Sequence, residues 1–162
     1  MEGDEGMSFD LHAVIAGGDL LRVASRGLPA ARPAPIGQGL SLMPLTDALV
    51  DSVADGSDAG VPGFWRLPEG FGRTLADWSA AGPVAYVEAE YFGGVGEQQA
   101  AVWEGGHLVL GPLHAGEGQA FPAAGSPLSR ALRRLGAVAG AGEDEFSAVG
   151  LDRHRDGGAW IV

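Results

Sequence analysis

From Ser8 the chain alternates, with Phe9, Leu11, Ala13 and Ile15 on one side and Asp10, His12 and Val14 on the other, a period-two pattern that predicts a strand closing at Gly17-Gly18. Asp19 is placed to cap a short helix carrying Leu20, Leu21, Val23 and Ala24 and ending near Gly27; Pro29, Pro33 and Pro35 then demand extended chain. A strand is expected at Leu40–Met43. Thr46 suits an N-cap, with Asp47 in the first turn and Leu49, Val50 and Val53 on one face, which predicts a helix to about Asp55. Residues 56–63 read as loop. Leu75 and Trp78, three apart, share a face of a helix predicted over Thr74–Ala81 and stopped by Gly82-Pro83.

The clearest sheet pattern follows. Val84–Phe92, a loop over Gly93–Glu97, Gln98–Glu104, a Gly105-Gly106 turn and His107–Leu110 predict a three-stranded antiparallel meander. Ser126-Pro127 opens a helix whose Leu128, Ala131, Leu132 and Leu135 form a core stripe opposite Arg130, Arg133 and Arg134, and Gly136 ends it. Acidic Glu143-Asp144-Glu145 precedes a short helix through Phe146 and Val149. The elements give an α+β fold over residues 8–162: an antiparallel sheet, made of the meander plus one or two N-terminal strands, packed against three to four helices. Residues 1–7 read as an acidic tail, with Met7 a candidate start.

Composition narrows the chemistry. With no cysteine there is no disulfide, thiolate nucleophile, zinc-thiolate site or iron–sulfur cluster. All ten basic residues are arginine, so Schiff-base chemistry, pyridoxal attachment and the lysine of a phosphate loop are also excluded. The net charge of −11 repels nucleic-acid backbones and attracts basic proteins. No apolar run approaches the roughly 20 residues that a membrane-spanning helix needs, and the acidic N-terminus is opposite in sign to a signal peptide, so a cytoplasmic location is expected.

Alternation along Val84–Phe92 places Tyr86, Glu88, Glu90 and Phe92 on one face, with the two glutamate α-carbons about 6–7 Å apart, close enough for paired acid/base or metal chemistry; the plain alternative is a solvated strand face. The Gly93–Gly96 loop lacks the glycines and lysine of a phosphate loop and instead presents Glu97 and Gln98. His12, His107, His114 and His154 match no compact zinc spacing, and no metal or other cofactor is expected. Asp152–Asp156 alternates charge around Arg153, His154 and Arg155, as a titrating cluster or as a solvated tail. The arginine stripe and Trp65, Trp78, Trp103 and Trp160 are expected to serve solvation and packing.

The segment from Tyr86 to Gln98, with Val102-Trp103, Pro127–Gly136, Asp144–Phe146 and Gly150-Leu151-x-Arg153-His154-Arg155, resembles an uncharacterised bacterial protein family over roughly Pro83 to Trp160. Some such proteins resemble immunity proteins of toxin systems. The resemblance implies that the glutamate strand, the glycine loop and the Arg-His-Arg segment share one surface. The leading expectation is thus a non-enzymatic acidic binding protein of immunity or antitoxin type, engaging a basic protein partner through Tyr86, Glu88, Glu90, Phe92, Glu97, Gln98 and Arg153–Arg155, with no nucleic acid or membrane as partner. The alternative is a small hydrolase or metal-assisted enzyme with Glu88 or Glu90 as base and His154 as its second group.

Overall fold

The computed structural model describes residues 9–53, 60, 61, 63–65, 67–92, 95–116, 125–142 and 144–151. In chain order these form β1 (Phe9–Gly17), α1 (Gly18–Ala24), β2 (Ala34–Pro35), β3 (Leu40–Pro44), α2 (Asp47–Val53), α3 (Glu69–Trp78), β4 (Val84–Phe92), β5 (Val95–Glu104), β6 (His107–Ala115), α4 (Pro127–Arg134) and α5 (Glu145–Ala148). One six-stranded sheet runs β2-β3-β1-β4-β5-β6, every pairing antiparallel. The fold is α+β, with the expected meander on one side of β1 and the short N-terminal strands on the other.

Helices cover both faces of the sheet. Leu11, Ala13 and Ile15 of β1, Ala85, Val87 and Ala89 of β4, and Ala100 and Val102 of β5 pack with Leu128, Ala131 and Leu132 of α4. On the reverse face, Val14, Ala16, Val84, Tyr86, Ala101 and Trp103 meet Leu21 of α1, Leu49 of α2, and Phe71 and Leu75 of α3. Each fully buried large side chain contributes about 1.5–3 kcal/mol. Coverage on both sides explains why Val84–Ala89 is buried without a break, Glu88 included. The alternative of a solvated face therefore fails for Tyr86 and Glu88 and holds for Glu90, which is exposed.

Several boundaries differ from the sequence pattern. α3 starts at Glu69, five residues before the expected Thr74, because Gly70 and Gly72 depress helix propensity and hide the first turns. Gly72 is there for space: a Cβ on it would lie 2.7 Å from Val61 Cγ2. The helix ends at Trp78, and the next residue joins it to the sheet: the Ser79 carbonyl accepts from Gly105 N and its hydroxyl from Gly106 N, both at 2.9 Å. Gly105 and Gly106 have φ of 63° and 87°, the geometry a two-residue hairpin turn requires. α1 is preceded by Gly17 with no side-chain cap, and Asp19 lies in its first turn. β5 begins at Val95, so Glu97 belongs to the strand that was expected to start at Gln98 and not to the preceding loop; β6 continues through Gly111-Pro112 to Ala115, with register shifts opposite Ala100–Trp103. The start of α4 follows the sequence pattern: the Ser126 side chain accepts from Ser129 N. Among the described residues no helix is long and apolar enough to cross a membrane.

Candidate functional site

Strand register decides where the carboxylates go. Asp10 and His12, two apart on β1, project from one face, and the β1–β4 pairing sets Asp10 opposite Glu90 and His12 opposite Glu88. The β4–β5 pairing extends both rows, Glu90 to Glu97 and Glu88 to Gln99, and Gln99 in turn faces His114 of β6. Two polar rows therefore cross the α1–α3 side of the sheet beyond the apolar Val14, Tyr86 and Ala101.

The inner row is roofed. Between α2 and α3 the chain closes on itself through a Gly60–Pro68 bridge and a Val61 N to Leu67 O hydrogen bond of 2.9 Å. Phe64 from this loop meets Tyr86 edge-on, with ring centroids 5.1 Å apart, and Trp65 meets His12 edge-on at 6.1 Å. Glu88, 0% exposed, is a clasp under the roof. Its Oε1 accepts from Trp65 N at 2.7 Å and from Gln99 Nε2 at 3.2 Å, and its Oε2 accepts from the Tyr86 hydroxyl at 2.8 Å. A buried carboxylate needs such donors, and here they join loop, β4 and β5.

The outer row is open. The side chains of Asp10, Glu90 and Glu97 are 64%, 52% and 40% exposed, whereas His12 is only 9% exposed. His12 Nε2 lies 2.9 Å from Glu90 Oε2 and His12 Nδ1 lies 3.6 Å from Asp10 Oδ1; His114 Nε2 lies 3.6 Å from Glu97 Oε1. Among the described residues, histidines are the ion-pair partners of these three carboxylates. Glu90 and Glu97, directly opposite, oppose like charges, an arrangement unfavourable by about 0.2–1 kcal/mol when nothing offsets it. Among the described residues, Asp10, His12 and Glu90 form a group that could hold a metal: one donor atom from each lies within 4.8 Å of the others.

The sequence-predicted residues thus separate. Glu90 and Glu97 share the open row. Tyr86 is buried beneath the roof with Glu88, and neither can touch a partner directly. Gln98, also buried, points to the opposite face, where its Oε1 accepts from Leu128 N at 2.8 Å and secures the start of α4. Phe92 lies opposite Val95 in the sheet, its side chain outside the described residues, as are Gly93, Gly94, Arg153, His154 and Arg155. Spacing does not single out Asp10 and His12, since Glu90 is seventy-eight residues beyond His12 along the chain. The one signal was their alternation on β1.

Elsewhere the charges are structural. Two members of the arginine stripe are paired, Arg133 with Glu145 at 3.0 Å and Arg134 with Glu104 at 3.0 Å. The Arg133 guanidinium, hydrogen-bonded to Glu145, holds that carboxyl below the usual carboxylate range against the opposing effect of burial. A cleft at the far end of the sheet, lined by Gly17, Asp19, Leu40, Pro83 and Leu135, offers Asp19 as its sole ionisable side chain among the described residues. Set beside known proteins, the chain matches no family model, no curated protein and no solved structure.

Proposed function

We propose that this chain is a non-enzymatic acidic binding protein, of the immunity or antitoxin type, that engages a basic protein through the open row of Asp10, Glu90 and Glu97. The observation that carries this reading is the side-by-side exposure of three carboxylates on adjacent rigid strands, paired among the described residues with histidines alone. In a chain of net charge −11 the row adds a local negative field to a global one. Such fields act chiefly on association rate and on the choice of partner. The enzymatic alternative keeps only Glu90 of its two glutamates exposed, because Glu88 is enclosed by its donors.

The test is capture from lysate of the source cells, followed by kinetics with the purified partner across a salt series. A basic partner is expected, and Glu90→Gln with Glu97→Gln should slow association about ten-fold at low salt, the difference shrinking as salt rises. Binding that ignores both salt and the double substitution refutes the reading.

A further inference from the structure

We propose that Asp10, His12 and Glu90 bind a divalent transition-metal ion of the zinc class. One donor atom from each lies within 4.8 Å of the other two. Zinc holds imidazole nitrogen and carboxylate oxygen at about 2.0–2.2 Å, which sets neighbouring donors of a tetrahedral site roughly 3.4 Å apart. At the 4.8 Å limit the set must therefore draw in by roughly 1.4 Å. Asp10 and Glu90 stand against different ring nitrogens, Nδ1 and Nε2, so besides drawing in, one of these exposed carboxylates must swing to the nitrogen that takes the ion, while His12, nine-tenths buried and T-shaped against the Trp65 ring, stays as the fixed donor. Two donors stand two residues apart on β1 and the third occupies the paired position on β4, so the backbone of the site is set by the sheet's hydrogen-bond ladder.

The donor set selects the ion. Magnesium and calcium favour all-oxygen surroundings, whereas an imidazole beside carboxylates suits zinc and its neighbours. The two carboxylates balance a dication, and Glu97, directly opposite Glu90, adds negative potential from the next strand. A bound cation would offset the like-charge opposition of Glu90 and Glu97 and replace the His12–Glu90 hydrogen bond. Three protein donors leave a coordination position on the solvent side, open to water or to a partner's side chain. The inference shares Asp10 and Glu90 with the partner-binding reading, and a bound dication would cancel their charge and leave Glu97 as the open carboxylate; metal binding is therefore tested on the chain alone and partner association with the metal removed by chelator.

The 162-residue chain, stripped with a chelator, is titrated with Zn²⁺ by calorimetry and thermal melting, with Co²⁺ as a visible-absorption probe and Mg²⁺ and Ca²⁺ for comparison. One Zn²⁺ per chain, a raised melting temperature and a Co²⁺ spectrum are expected, with Mg²⁺ and Ca²⁺ at least about ten-fold weaker. Glu90→Gln and His12→Gln should each weaken Zn²⁺ binding by about ten-fold or more, and His107→Gln, at the exposed start of β6, should not. Glu90→Gln alters an exposed side chain and so gives a result even if His12→Gln fails to fold. Absence of binding at millimolar Zn²⁺ overturns the proposal. So does affinity that survives Glu90→Gln or is lost in His107→Gln, either of which places the ion elsewhere.

Discussion

Removing the Glu88 carboxylate should damage the fold far more than removing the carboxylate two residues along the same strand. In Glu88→Ala, the Tyr86 hydroxyl and the Gln99 amide each lose this carboxylate as an acceptor, at positions that are 0% and 2% exposed. Each buried donor left unsatisfied costs about 1–3 kcal/mol, so the two together cost roughly 2–6 kcal/mol. Trp65 N, another of its donors, lies in a loop whose Trp65 is exposed, where water can take the carboxylate's place. Glu88→Gln keeps the shape and one acceptor but turns an NH₂ toward a donor, for a cost of about 1–3 kcal/mol. Glu90→Gln, at an exposed position, should stay within about 0.5 kcal/mol of the parent. Urea unfolding followed by tryptophan fluorescence gives all three, provided the denaturant slope is unchanged. Pairing Glu88→Gln with Tyr86→Phe in a double-mutant cycle should return a coupling of about 0.5–3 kcal/mol. If Glu88→Ala proves as mild as Glu90→Gln, the carboxylate is no clasp and the reasoning from its burial fails.

Two further outcomes follow from the packing and the charges. Because Arg133 depresses the Glu145 carboxyl in the folded chain, its contribution is complete above the ordinary carboxylate range and disappears as pH falls through the depressed folded value. The stability gap between the parent and Glu145→Gln, from urea midpoints at neutral and acid pH, should therefore narrow on acidification, and a gap independent of pH would contradict the assignment. Gly72→Ala, which in an open helix should stabilise by about 1 kcal/mol, should here lower the melting temperature, because the new methyl would meet Val61 Cγ2 at 2.7 Å. In a Val61→Ala background the same change should turn stabilising; a loss of similar size in both backgrounds would rule out the contact as its cause.

Local pattern carried the elements whose periodicity or turn chemistry is self-contained. The alternation of β1, the Gly105-Gly106 hairpin and the Ser126-Pro127 start of α4 are each encoded within a few residues, and each is found where the pattern puts it. α3 begins ahead of its local pattern because Gly70 and Gly72 oppose helix there; the reason for Gly72 lies across space, at Val61. The candidate site shows the same division. Sequence alternation placed Glu88 and Glu90 on one face of β4. It carried no information on what covers that face, and the roof over Glu88 comes from a loop more than twenty residues upstream. Gln98 reads as the first residue of a strand, but its burial is decided only when α4 docks its first turn on that side chain. The meeting of Asp10 and His12 with Glu90 depends on the pairing of β1 with β4, a register fixed when both strands bury their apolar residues between two layers of helices. The residue types and their periods were thus set by the sequence alone, whereas burial and partnership, which separate a clasp from an open carboxylate, were decided by tertiary packing.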